Sequence, residues 1–320
     1  MKKYSRKNRQ LTLMVALGSG FFVLALIFFI FFSFLLVNKS LSANQLNKLF
    51  VTGNSTKSQN EDQISQYNIP DDVRQAIDQA VKTGQPASGI RADGQTFHLP
   101  ILIYHYVEHV RDRKDTIRMS LDILPETFEK QIKTLQDSGY TFINMSDVAD
   151  ILDNIKPAPP KPVVLTFDDG YEDFYFDVLP ILKKYNVKAV AYIVSGFIDR
   201  PNYMTSAELT SVAQSGLVEI GAHTAHHLGL ASLNENSAKI EINTSKIQLE
   251  QKLGVPITAF AYPYGSFNLS TIALVKEAGF RTAASTVAGT TIGNQDRFFA
   301  FRIHPGISVG EGLLKELAKQ

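Results

Sequence analysis

The sequence predicts an α/β protein, a parallel sheet with helices packed outside it, open or closed into a barrel, preceded by one membrane-spanning helix and a flexible stalk. Three observations predict it. From residue 97 onward, short apolar runs of strand length alternate with stretches of helical period, the pattern of strand–helix–strand units and a parallel sheet. Residues 11–37 form 27 positions without one charge, where about 20 apolar residues suffice to cross a bilayer. Lys2, Lys3, Arg6, Lys7 and Arg9 precede that run, and no acidic residue occurs before Glu61.

Taken in order, residues 1–10 are a basic tail, and the positive-inside rule assigns it to the cytoplasm. Residues 11–37 are the transmembrane helix. A cleaved signal peptide is the competing reading, but its apolar region runs about 7–15 residues, although "SLSA" at 40–43 leaves cleavage open. Everything after residue 37 is then expected outside the cell membrane. Residues 38–96 read as a stalk: 38–68 are rich in Ser, Asn, Gln and Lys, the composition of a solvated segment. A short helix is expected from Asp71 to Lys82, with Val73, Ile77 and Val81 on one face, broken at "TGQPASG". The globular domain, 97–320, is expected to start near Phe97.

Within it, "ILIYHYV" (101–107) reads as a buried strand, followed by a helix from Pro125 with Phe128, Ile132 and Leu135 inward and Gly139 as its stop. "TFINM" and a helix N-capped by Ser146 come next, then a Pro-rich loop at 157–162. "VVLTF" (163–167) is a strand, and "DFYFDVLPILKKY" is helical with an irregularity at Pro180. "AVAYIV" (189–194), "VEIGAH" (218–223), "ITAFAY" (257–262) and "RTAAST" (281–286) continue the strands. Between them lie a long helix ending at Leu253–Gly254 and another from Asn268 to Gly279. No internal repeat is visible.

Composition excludes several functions. A formal net charge of +1 creates no field that would draw nucleic acid. The absence of cysteine removes thiol nucleophiles and thiolate ligands, and a domain of this size buries enough surface to dispense with disulfides.

In α/β architectures the loops after the C-terminal ends of strands build the active site. Three such ends carry chemistry here. "LTFDDG" places Asp168 and Asp169 after one strand. Asp-Gly is also an ordinary turn, but adjacent residues at a strand end point to opposite sides, so the two carboxylates meet different environments. "HTAHH" groups His223, His226 and His227, three of only seven histidines, within five residues. Histidines at i and i+4 lie on one face if the segment is helical, and clustering of this kind suits a metal. "YPYG" (262–265) follows the next strand. One Asp with two His leaves coordination positions open, as a catalytic divalent site requires, and the remaining Asp is placed to act as a base.

These motifs, in this order and at strand ends, resemble the polysaccharide deacetylases of carbohydrate esterase family 4, the NodB-homology domain, in its exported branch. The likeness spans about 97 to 310 and includes "LPILIYHYV" and "FEKQIKTLQDSGYTFINMSDV". It implies a distorted (β/α) barrel, Asp168 as catalytic base, and Asp169, His223 and His227 as ligands of one divalent ion, Zn²⁺ in first place with Co²⁺ or Ni²⁺ as alternatives. His226 is then spare, with an i, i+3 pair as the lesser choice. Tyr264 matches the residue whose backbone N–H stabilises an oxyanion. The chain departs from the family where an Arg often opens the third motif, since Ala261 stands there, and the acidic–Trp motif is missing because there is no Trp. Arg302, in "FRIHPG", is the candidate substitute, and His304 the candidate acid for the leaving amine. His105, Arg302 and Tyr262 are expected to line the substrate pocket, and Tyr104 and Tyr171 are weaker candidates for sugar contact.

The implied activity is metal-dependent removal of N-acetyl groups from N-acetylglucosamine units of a cell-surface polysaccharide, peptidoglycan or poly-N-acetylglucosamine. The alternatives are an O-acetyl esterase on acetylated glycans and an inactive glycan-binding homologue. The expected partners are the polysaccharide and, through the N-terminal helix, the membrane.

Overall fold

Continuous burial on both faces selects the strands. The computed structural model describes residues 96–110, 112 and 114–318. The basic tail, the apolar run 11–37, the stalk and the helix expected over Asp71–Lys82 lie outside them. Among the described residues no helix is long and apolar enough to cross a membrane.

The chain runs through β1 (Phe97–His98), β2 (Ile101–Tyr104), β3 (Tyr106–Val107), α1 (Thr116–Leu121), β4 (Asp122–Ile123), α2 (Pro125–Asp137), β5 (Thr141–Phe142), α3 (Met145–Leu152) and β6 (Pro162–Phe167). A π-helical turn (Phe174–Val178) leads into α4 (Leu179–Tyr185), β7 (Ala189–Ile193), α5 (Ser206–Ala213), β8 (Val218–Ala222) and α6 (Glu235–Leu253). It ends with β9 (Ala259–Ala261), α7 (Leu269–Glu277), β10 (Thr282–Ala284), β11 (Thr291–Ile292) and α8 (Gly310–Leu317).

Seven of these strands form one sheet in the order β10-β9-β8-β7-β6-β2, with β5 joined to the start of β6, and every pairing is parallel. All six residues of β6 are buried. Val163, Leu165 and Phe167 pack among the helices with Phe128, Ile132 and Leu135 of α2, while Val164 faces the opposite cluster with Ile101, Val190, Tyr192 and Ala259. A sheet buried on both sides needs such unbroken apolar strands. The inner cluster is rich in Ala because the sheet curls. At Gly221 an added Cβ would sit 2.5 Å from the Tyr192 ring.

Curling leaves β2 and β10 as edges, and one short segment bridges the gap between them. Ala300 pairs with Ala284 and Ile303 with Leu102, both parallel. Ala300 N–H donates to Ala283 O (2.8 Å), Ile303 N–H to Ile101 O (2.8 Å), and Ile103 N–H to Ile303 O (2.9 Å). Edge backbone groups on both sides are thereby satisfied, and Arg302 is carried into the interior between the two bonded residues.

Two local expectations need correction, and the irregularity expected at Pro180 takes a definite form. The strand expected over 101–107 stops at Tyr104: Tyr106 and Val107 leave the sheet to pair with β4, so His105 sits at the break. Asn144, not Ser146, caps α3, because its Oδ1 accepts from Asp147 N–H (3.0 Å) while Asp147 Oδ2 accepts from Asn144 N–H (3.1 Å). At Pro180 the irregularity is a widened turn. Proline has no N–H for the bond to residue 176, and the π-helical turn just before α4 accommodates it.

Asp173, 4% exposed at the start of that turn, accepts from Val107 N–H at Oδ2 (2.7 Å), whereas its Oδ1 has no partner. Burial pushes its carboxyl up to about 7, against about 3.9 in an unfolded chain. The native state therefore holds a proton that the unfolded state releases between those values. This contribution is full below the unfolded pKa and is lost as pH rises through the folded one. Asp173→Asn should gain stability relative to wild type by about 2–3 kcal/mol between pH 5 and pH 8, read as urea midpoints. A difference that stays constant with pH would show that Asp173 does not titrate in this way.

Candidate active site and metal centre

The site lies at the C-terminal edge of the sheet. After β6, Asp168 N–H still donates to Tyr104 O (3.0 Å), continuing the ladder, and then Asp169 (φ 77°) and Gly170 (φ 83°) turn the chain in left-handed conformations. Thr224 (φ 63°), His227 (φ 57°) and Tyr264 (φ 59°) adopt the same region in the neighbouring loops. Each such non-glycine residue costs on the order of 1 kcal/mol or more, and this kind of strain gathers at functional loops.

Asp168 is 3% exposed and Arg302 1%. Their pairing is bidentate, Nη1 to Oδ1 at 2.7 Å and Nη2 to Oδ2 at 2.8 Å. Arg302 also donates from Nε to Ser285 O (2.7 Å) and from Nη1 to Thr166 Oγ1 (3.1 Å), and Thr166 Oγ1 donates in turn to Leu102 O (2.7 Å). Burial alone would raise the Asp168 pKa, but the guanidinium, aided by His223 and His105, outweighs it and holds the carboxyl well below the usual range. Arg302 was expected among the substrate-contacting residues; it is instead sealed beneath Asp168, because a charge taken out of water needs a paired countercharge. It makes the contact to Asp168 that the family resemblance assigns to the third-motif Arg, where this chain has Ala261.

Asp169, His223 and His227 each turn one ligand atom to a common point, all within 4.8 Å of one another. Asp169 Oδ1 lies 3.5 Å from His223 Nε2 and 3.1 Å from His227 Nε2. These contacts do not close as hydrogen bonds, so this buried oxygen is left without a partner. Burial pushes the Asp169 carboxyl up, yet His227 and His223 bring it net below its ordinary value, while His223 is pushed down chiefly by its own burial. His223 Nδ1–H donates to Ala261 O (2.8 Å), which leaves Nε2 with a lone pair. A carboxylate and two imidazoles converging on an orphaned buried oxygen fit a divalent cation of the zinc type.

The histidines are not on a helix, so the helical condition for an i, i+4 face is not met. They lie on an irregular loop in which left-handed Thr224 and His227 bring the rings to 4.9 Å. His226 turns away: Glu241 of α6 accepts from its backbone N–H (2.8 Å) and holds its Nδ1 (2.7 Å). Sequence reasoning missed Glu241. The available signal was an acid on the inward face of α6, among Ala238, Ile242, Ser245 and Leu249.

His105 and His304 stand at the same edge with parallel rings 6.1 Å apart. Partial enclosure, then His105 and Arg302, push the His304 pKa down, with Asp168 opposing. Tyr264 is 72% exposed at the mouth. Tyr262 cannot line a pocket as expected: it is fully buried, with its hydroxyl on Phe298 O (3.0 Å). Tyr104 is likewise core, its hydroxyl on Gln131 Oε1 (3.0 Å). Tyr171 is half-buried and stacks between Tyr106 (4.0 Å) and Tyr203 (5.0 Å), two aromatics the sequence did not single out.

A family model described as polysaccharide deacetylase matches residues 155–283. A Bacillus subtilis protein assigned as a polysaccharide deacetylase, YxkH, is 30% identical over 230 residues, covering 71% of this chain and 76% of its own. A poly-β-1,6-N-acetyl-D-glucosamine N-deacetylase of Staphylococcus aureus is 28% identical over 202 residues, 59% of this chain and 69% of that one. Among solved structures, the Streptococcus pyogenes deacetylase PplD, in complex with acetate, superposes with a TM-score of 0.64 at 28% identity, covering 70% of this chain and all of that one.

Replacing Arg302 by Met strands a buried carboxylate. The expected loss is about 3–5 kcal/mol in urea unfolding, and Asp168→Asn combined with Arg302→Met should regain most of it. A single variant as stable as wild type would mean that the pair does not compensate buried charge.

Proposed function

This chain belongs to the polysaccharide deacetylase family and is a deacetylase hydrolase, and on that footing we propose that it removes N-acetyl groups from N-acetylglucosamine units of a cell-surface polysaccharide. The observation that carries this reading is the convergence of Asp169, His223 and His227 beside an Asp168 that Arg302 keeps ionised. The name of the staphylococcal relative supports N-deacetylation of a glucosamine polymer.

Asp169, His223 and His227 would hold one divalent ion, zinc in first place. When bound, such an ion supplies Lewis acidity, polarising a carbonyl and lowering the pKa of water beside it. Asp168 is unprotonated throughout the neutral range and so is always ready to take a proton from the attacking water. Its bond to Arg302 makes it a weak base, which favours passing that proton on. His304, whose lowered pKa leaves it neutral, then gains the proton during turnover and delivers it to the departing amine. His105 stands beside it with its ring parallel, 6.1 Å away. By the family resemblance, the Tyr264 backbone N–H would donate to the oxygen on which charge develops.

The apolar run 11–37 and the basic residues before it support a single-pass anchor with the catalytic domain outside. Protease added to intact cells should then remove the domain while an N-terminal tag stays protected, and loss of the tag with protection of the domain would reverse the orientation.

The enzymatic test is acetate release from poly-β-1,6-N-acetylglucosamine, peptidoglycan and chitin oligomers with Zn²⁺, Co²⁺ or Ni²⁺, beside an O-acetylated xylan. At least one N-acetyl polymer should be turned over, chelator should stop it, and Asp168→Asn should lose at least ~10²-fold in kcat while still binding metal. Release from the O-acetyl substrate alone would overturn the N-deacetylase reading, and an active Asp168→Asn the base assignment.

A further inference from the structure

The two histidines of the triad are braced from behind by unlike partners. His223 Nδ1 faces the Ala261 carbonyl, which only accepts, so that ring has one tautomer whether or not a metal is present. His227 Nδ1 faces the Tyr264 hydroxyl at 3.0 Å, and a hydroxyl both donates and accepts. The Tyr264 ring also lies 4.5 Å from the His227 ring.

Hydrophobic burial does not explain where Tyr264 sits, since it is 72% exposed. Its left-handed backbone (φ 59°) is costly for an aromatic residue. The loop that imposes this conformation is clamped. A Cβ on Gly265 would stand 2.0 Å from Thr286 Oγ1, so the backbone is pressed against Thr286, and Ser266 Oγ accepts from Ala231 N–H at 3.2 Å. A strained, rigid loop therefore presents an exposed phenol to the outer nitrogen of one proposed ligand.

We infer that the Tyr264 side chain is a positioning residue for His227 and sets how tightly that arm of the site holds a divalent cation, a role separate from its backbone N–H. The inference rests on the metal reading above. With a cation bound, Nδ1–H donates to Oη and the Nε2 lone pair faces the ion. Without one, the hydroxyl rotates to donate to Nδ1, and Nε2 carries the proton on the side of Asp169 Oδ1, 3.1 Å away, without closing a hydrogen bond to it. One hydroxyl supports both tautomers, so His227 is the arm that lets go and His223 the arm that stays.

Tyr264→Phe in the full-length protein removes the hydroxyl and keeps the ring and the backbone N–H. Zinc affinity, measured by competition with a chelator, should weaken about 10–100-fold, the usual effect of losing an outer partner of a ligating histidine. The thermal midpoint of the metal-free protein should not change. Nitrogen-15 spectra of the wild type should show the His227 proton moving from Nε2 to Nδ1 on zinc addition. Wild-type zinc affinity in Tyr264→Phe, or a His227 tautomer that ignores zinc, would overturn the inference while leaving the triad intact. Asp169→Ala and His223→Ala separate the two levels: if they bind zinc as well as wild type does, or if wild type binds none, the metal reading falls and this inference with it.

Discussion

The bidentate pair between Arg302 and Asp168 joins the fold to the chemistry. Arg302 arrives on the segment that bridges the two edges of the curled sheet, so closing the sheet and neutralising the buried carboxylate are one event. Neither half is stable without the other. An unpaired Asp168 would protonate or draw water into the interior, and an unpaired Arg302 would carry a charge into a core of Tyr192 and small residues. The ionised state of Asp168 is thus a property of the closed fold.

Around that pair the site is built from short loops in unusual conformations. Asp169, Thr224, His227 and Tyr264 all sit at positive φ, and glycines stand beside two of them, at Gly170 and Gly265. Regular structure behind the loops over-determines these conformations: the β6 ladder runs through Asp168, Glu241 clamps the His226 backbone, and Thr286 presses on Gly265. The scaffold is therefore rigid where ligand atoms must converge, and the exposed Tyr264 marks where the site opens to solvent.

Much of the fold was legible in the chain. The apolar runs of β6 and β7 are buried on both faces, and that unbroken burial distinguishes parallel strands from amphipathic ones. Helix stops at Gly139 and Gly254 were equally readable, since both glycines take positive φ. The break at His105 was not, because "ILIYHYV" is apolar throughout and only the competing pairing of Tyr106–Val107 with β4 ends the strand. Tyr262 was misread for a related reason: a motif position says which loop a residue belongs to, and the direction of its side chain depends on packing.

What the sequence by itself determined is the inventory and its order: two adjacent carboxylates, a histidine pair and a Tyr-Pro-Tyr-Gly turn, each after a strand and therefore on one edge of one sheet. Strand order in a parallel sheet brings such ends together whatever their separation along the chain. Only the tertiary structure decided the partners. Arg302 meets Asp168 from 134 residues away, Glu241 takes His226 out of the triad, and the Tyr264 hydroxyl reaches His227 across 37 residues. Local pattern carries no information about such contacts, because they are set by how the sheet curls and which loops its two edges bring face to face.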